Sequence, residues 1–202
     1  MATEDFSQRG EQEQILKYFG DKADGRFLDI GAADGKTFST THALALRGWS
    51  GVCIEPNPHM LIPLMELYKD RKDIIVMAAA AIAMHEPESV TMYITPDFLS
   101  STSAEHRATW EKVGVKFIPM DVMGVPVGSL YSELGVWYHM INIDVEGNNW
   151  EILTSMDPYL LDQVKLLCIE FEGMADKMAA FGVTHGLKKI HQTEENLILA
   201  RV

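Results

Sequence analysis

Apolar residues in this chain fall into short unbroken blocks, and between the blocks they recur three or four positions apart. The unbroken blocks lie at 26–31, 51–56, 73–82, 139–147 and 164–172. With little polar alternation they predict strands buried on both faces. Helical spacing governs 11–19, with Ile15, Leu16 and Phe19 on one side, then 38–48, closed by Gly48, and 58–71, with a proline in its first turn. It returns from about Asn148, where Asn148 and Glu151 have capping-box spacing, and again at 175–182. Runs at 89–95 and 115–122 read as extra strands around a Ser/Thr loop at 99–106, and 188–202 reads as a closing hairpin. Strands alternating with helices predict one α/β domain over 1–202, built on a parallel sheet covered on both faces. In this reading residues 1–20 form a helical cover and 95–130 an insertion near the substrate site.

In such a sheet ligands bind beyond the carboxyl ends of the strands. The chemistry is therefore expected at 29–35, at Glu55, at 79–81 including Ala80, at 144–147 and at 170–172.

Charge narrows the partners. The 202 residues carry a formal net charge of −12. Phosphate backbones and anionic bilayers reward clustered Lys and Arg, so neither nucleic acid nor membrane is expected as a partner. No apolar stretch is long enough to span a bilayer, and the polar, acidic first residues do not read as a signal peptide. Cys53 and Cys168 both lie in apolar blocks, where buried reduced thiols are the ordinary outcome. These features predict a cytoplasmic protein.

The first strand runs into Gly31-Ala32-Ala33-Asp34-Gly35. This departs from the G-x-G-x-x-G dinucleotide fingerprint, and no lysine accompanies it. The small residues let backbone approach a ligand, while Asp29 suits a cation better than a phosphate. Glu55 ends the second strand, just before Pro56, some twenty residues after the loop. A carboxylate there can accept hydrogen bonds from both ribose hydroxyls of a nucleoside. A nucleoside with a positive charge and no phosphate describes S-adenosylmethionine. Gly31, Ala32, Ala33, Gly35, Asp29, Glu55, Pro56 and Ala80 are its candidate contacts.

Asp144 is the first candidate for meeting the substrate or acting as general base, with further contact to the cofactor, and Glu146 for supporting the site. Glu170 and Glu172 bring the acids to four, a set that could hold Mg²⁺ or Ca²⁺; the reading adopted is metal-free. The histidines show no metal-ligand spacing. His42 reads as partly buried, and His106, beside the Ser/Thr loop, is a lesser candidate base. Trp110 and Trp137 either line the pocket or pack the core, and the twelve methionines read as core filler.

Four stretches carry a resemblance: Ser7-Gln8-Arg9-Gly10-Glu11 and its continuation to 16, then 27–41, 48–58, and 141–153 with Ile143-Asp144-Val145-Glu146-Gly147. In order and spacing they resemble the FkbM family of S-adenosylmethionine-dependent methyltransferases. The resemblance implies a Rossmann-like class I methyltransferase fold, with a seven-stranded, mostly parallel sheet whose last strand is antiparallel. It also implies O-methylation of a small molecule or glycan, and places Gln8 and Glu11 among the cofactor contacts. Asn142 stands where the family usually carries lysine, and 39–42 replace the more usual Ser-Asn-Thr. Both departures bear on substrate class rather than on cofactor use. The alternatives are a non-catalytic S-adenosylmethionine-binding module, with Asn142 as the sign of loss, and a nicotinamide-dependent oxidoreductase. Acceptor recognition falls to 1–20, to 95–130, or to a partner subunit, and a homo-oligomer remains open.

Overall fold

A computed structural model describes residues 4–85, 88–130 and 137–202. In chain order its strands are β1 (Arg26–Ile30), β2 (Ser50–Ile54), β3 (Ile74–Met77), β4 (Ala80–Ile82), β5 (Glu88–Ile94), β6 (Ile118–Pro126), β7 (Met140–Ile143), β8 (Leu166–Glu170), β9 (Lys188–Gln192) and β10 (Asn196–Ala200). The described helices are α1 (Glu11–Phe19), α2 (His42–Leu46), α3 (Pro58–Tyr68), α4 (Ala104–Glu111), α5 (Asn149–Ser155), α6 (Pro158–Gln163) and α7 (Ala175–Thr184).

Seven strands form the main sheet in the order β3-β2-β1-β7-β8-β10-β9. All neighbours pair in parallel up to β8, and β10 runs antiparallel to both β8 and β9. The expected sheet, with its antiparallel last strand, is the sheet observed. Chain order reverses between β1 and β7, which opens a crevice at their carboxyl ends.

Each face of the sheet has its own core. Phe27, Cys53, Met140, Cys168 and Ile198 pack against Ile15 of α1, Leu44 of α2 and Leu64 of α3. Leu28, Ile54, Ile141, Ile143 and Ile169 pack against Ile152 of α5, Leu160 of α6 and Met178 of α7. Both cysteines are buried and unpaired, and burial raises both thiols well above their usual range. No helix among the described residues is long and apolar enough to cross a membrane.

Four local expectations are corrected. The block at 73–82 is two strands, because the chain turns after Met77 and leaves the main sheet to pair with β6. With β5 antiparallel to β6, these form a separate three-stranded sheet. The helix expected over 38–48 covers only 42–46, since Phe38 takes a left-handed backbone with φ 59°. The supposed loop at 99–106 runs into α4, which has no buried residue and so no apolar periodicity to read. Finally, the capping box at Asn148 does not form; its amide donates instead to Thr102 Oγ1 at 2.9 Å.

Candidate active site

The crevice at the strand reversal deepens into a cavity of about 400 Å³, within the range of small-molecule sites. It is lined by Gln8, Asp29, Gly31, Ala32, Ala33, Glu55, Pro56, Ala80, Asp144 and Glu146, all singled out from the sequence. Glu11 and Gly35 do not line it. Glu11 is fully buried and its carboxylate accepts from Arg9 N, Thr193 Oγ1 and Asn196 Nδ2, so it reaches the cavity only through Asn196, a lining residue. Gly35 gives room to α3, because a Cβ there would stand 2.5 Å from Leu64 Cδ1.

Gly31 has a purpose beyond the one its loop suggests. With φ +83°, it brings its Cα against the main chain of β7's exit, and a Cβ would lie 1.7 Å from the Asp144 carbonyl oxygen. The glycine makes room for protein backbone, and its own backbone also lines the cavity.

Asp29 is 2 % exposed. Its Oδ2 accepts from Thr41 Oγ1 at 2.5 Å and its Oδ1 from Asn142 Nδ2 at 2.9 Å. β1 and β7 set Asp29 directly beside Asn142 in register. The neutral amide fills the acid's need for a donor and leaves its charge uncompensated. Thr41 is the residue before α2 and makes no capping bond, because its hydroxyl serves Asp29.

Glu55 holds two loops together. Oε2 accepts from Ala33 N at 2.9 Å and Oε1 from Asn57 N at 2.7 Å. A carboxylate has about four acceptor positions, so two stay open toward the cavity. Burial raises its pKa to about 7, against the pull of the two N–H donors.

At the ends of β7 and β8 the chain makes the same turn twice: Asp144-Val145-Glu146-Gly147 and Glu170-Phe171-Glu172-Gly173. In each the glutamate and the glycine are left-handed, with φ 53° and 96° in the first and 45° and 79° in the second. The turn starts one residue earlier than Gly147, and it brings both Asp144 and Glu146 to the cavity wall. Asp144 and Glu170 lie close enough for a hydrogen bond between them, which pulls Asp144 down and pushes Glu170 up. Asn149 Nδ2 donates to Glu170 Oε2 at 2.8 Å, and burial raises Glu172 against the pull of nearby donors on Gly147 and Asn149. Burial first, and then mutual repulsion, raises Asp144, Glu146 and Glu170, the last to about 8. Among the described residues no group of three His, Cys, Asp or Glu side chains has a geometry that could hold a metal ion.

These raised acids predict a pH dependence. Unfolded carboxyls ionise near pH 4, so between about 4 and 8 the folded chain binds more protons, and stability falls as pH rises. His42, His106 and His139, whose pKa values burial lowers, act in the opposite sense, but only below about 6.5. Urea unfolding at pH 7 and at pH 8.5 should therefore show a loss on the order of 1–3 kcal/mol. A flat profile would count against a buried acid cluster.

Several lining residues escaped the sequence reading. Asp97, Phe98, Leu99, Ser100 and Thr102 come from the insertion. Asn57 anchors them: its Nδ2 donates to Thr95 O at 3.0 Å and to Ser100 Oγ at 2.9 Å. Its place before a proline signals only the cap it also provides for α3. Thr40 lines the cavity at 6 % exposure, and its Oγ1 has no hydrogen-bond partner. His42 is buried, with Nδ1 3.2 Å from Tyr68 Oη, and is remote in role from the acids. Trp110 and Trp137 neither line the cavity nor enter the core; they are 36 % and 56 % exposed.

Comparison with known proteins places this architecture. The methyltransferase FkbM domain matches residues 29–192. Comparison with curated protein sequences gave no match. The fold resembles the methyltransferase FkbM from Methylobacillus flagellatus, with a TM-score of 0.56 at 13 % identity, over 88 % of this chain and 44 % of that one. This chain therefore spans less than half of that protein. It also resembles magnesium protoporphyrin IX methyltransferase from Synechocystis with bound S-adenosylmethionine, with a TM-score of 0.50 at 11 % identity, over 96 % of this chain and 80 % of that one. The fold is the Rossmann-like class I methyltransferase fold, and the chain belongs to the FkbM methyltransferase domain family.

Proposed function

We propose that this chain transfers a methyl group from S-adenosylmethionine to a hydroxyl of a small molecule or glycan. One observation carries the reading: the cavity at the strand reversal presents Glu55, the small loop 31–33 and the Asp144–Glu146 turn together, with no Lys or Arg in its wall among the described residues. Such a wall disfavours the pyrophosphate of a nicotinamide cofactor and accepts a cationic nucleoside.

The residues present fit the cofactor. Glu55 has two open acceptor positions for ribose hydroxyls, and the backbone of 31–33 lies open beside it. Thr40 Oγ1 is an orphaned buried donor on the wall, and Gln8 faces the same space. Ser7 pairs with Phe38, which seats the first residues over the loop after β1.

Held by Glu55 and the backbone of 31–33, bound S-adenosylmethionine would supply an electrophilic methyl group whose leaving electron pair stays on sulfur. Asp144 takes the proton of the acceptor hydroxyl as the new O–CH₃ bond forms. Its raised pKa makes it a stronger base, and a protonated Glu170 beside it would donate to it and hold it in place. Orientation within the cavity supplies roughly 7–11 kcal/mol of the barrier reduction. A non-catalytic module would keep Glu55 and have no use for the Asp144–Glu170 pair.

Calorimetry with S-adenosylmethionine and NAD, followed by transfer of labelled methyl to candidate acceptors, tests the reading; NAD binding in preference would overturn it. Glu55→Ala is expected to weaken S-adenosylmethionine by roughly tenfold to a hundredfold, through loss of about 1.5–3 kcal/mol of charge-assisted hydrogen bonding. Unchanged affinity in a folded variant would remove the ribose role.

A further inference from the structure

Five carboxylates line the cavity, Asp29, Glu55, Asp97, Asp144 and Glu146, and among the described residues no Lys or Arg lines it with them. Three of the five are served by neutral donors. Thr41 and Asn142 bond Asp29, two backbone N–H groups bond Glu55, and Thr95 Oγ1 and Leu99 N bond Asp97. The remaining two differ. Asp144 lies against another acid, Glu170, and among the described residues the side chain that comes to ion-pair distance of the Glu146 carboxylate is His106, at 3.7 Å.

A second observation points the same way. His106 packs on this turn, where a Cβ at Gly147 would lie 2.9 Å from its own Cβ. Its side chain is 10 % exposed, its Nδ1 stands 3.7 Å from Glu146 Oε2, and its Nε2 has no hydrogen-bond partner. The distance is too long for a hydrogen bond, and burial holds the imidazole toward its neutral form. His106 thus stands at ion-pair distance from Glu146, but as a neutral imidazole that neither donates a hydrogen bond to it nor offsets its charge. The insertion fixes this arrangement, since Ser101 Oγ donates to the Glu146 carbonyl and Asn148 Nδ2 to Thr102 Oγ1.

A buried acid with open acceptor positions and no cation of its own calls for one from a ligand. The acids do not group as a metal cage among the described residues. We infer that the methyl acceptor carries a protonated amine beside its hydroxyl, as a small amino alcohol or amino sugar does, and that Glu146 is the counter-group for that amine. Anionic acceptors are rejected by the same wall. Asn142 belongs to this design, because a lysine there would stand next to Asp29 in register and cancel part of the negative field. The inference rests on the reading of this cavity as a methyl-transfer site.

The test is calorimetry on the protein saturated with S-adenosylhomocysteine, using glucosamine, glucose and glucuronate as probes at pH 7. Glucosamine should bind about tenfold or more tightly than glucose, and glucuronate more weakly than either. In Glu146→Gln the preference for glucosamine over glucose should shrink to about twofold. Equal affinities, an absence of glucosamine binding, or a preference that survives in Glu146→Gln would overturn the inference. Displacement of glucosamine by Mg²⁺ would overturn it too, by naming a metal ion as the cation. Failure of S-adenosylhomocysteine itself to bind is a separate result, and it would overturn the underlying methyltransferase reading first.

Discussion

An Asp144→Asn protein is expected to bind S-adenosylmethionine within a few fold of the unmodified chain and to transfer methyl roughly 10²–10⁴ times more slowly. The substitution is mild in structure. The contact with Glu170 favours the ionised form of Asp144 and the protonated form of Glu170, and an amide oxygen at 144 can still accept from that carboxyl. The backbone contacts of residue 144 are unaffected, including the bond from its N–H to Ile30 O at 2.9 Å. What the amide cannot do is accept a proton. The adenosine contacts proposed above lie on β1 and β2, away from the change. Single-turnover rates on the true acceptor measure the effect, with cofactor affinity determined alongside. A full rate would remove the base role. Loss of affinity and rate together would show Asp144 to be a cofactor ligand instead.

Gly31→Ala should be the most damaging single methyl group in the chain. Two independent costs coincide. The left-handed backbone at φ +83° disfavours any L side chain by roughly 1–2 kcal/mol. The added carbon would also fall 1.7 Å from Asp144 O and 2.7 Å from Asp144 C, both main-chain atoms of the neighbouring strand's exit. Neither can swing aside as a rotamer does, so β1 and β7 must part where the site is built. The loss is expected to reach on the order of 4 kcal/mol or more, a large share of a typical 5–15 kcal/mol total. Gly35→Ala provides the contrast. Its nearest obstacle is the flexible tip of Leu64 at 2.5 Å, and its cost should be clearly smaller. Urea denaturation of the two variants side by side decides the matter, and equal midpoints would refute the role assigned to Gly31.

The sheet was legible in the sequence because strands buried on both faces leave long apolar runs, as in β7 and β8, where every residue through Ile143 and Ile169 is buried. The same property hid the break at 77–80. Ile74 to Ile82 reads as one apolar block, and only pairing with β6 shows that it serves two sheets. Helix α4 was illegible for the opposite reason: it sends no apolar side chain into either core, so it shows no apolar stripe. Strand-end acids were readable because topology alone sends them to the crevice. The Asp97–Ser100 wall was not, since it reaches the cavity through side-chain bonds from Asn57 across 38 and 43 positions of sequence. Glu11 shows the limit of a motif. It stands in the right stretch, but its bonds to Thr193 and Asn196 make it a support for the last strand rather than a wall of the cavity.

The twin turns at 144–147 and 170–173 carry an evolutionary tension. Glu146 and Glu172 hold left-handed backbones that glycine would adopt without strain, and their carboxyls are pressed against other acids. A selection for heat resistance alone would favour glycine at both positions, relieving backbone and charge together. Of the two, only Glu146 stands on the cavity wall, so a stabilising glycine is best tried at 172, where the same backbone lies off that wall.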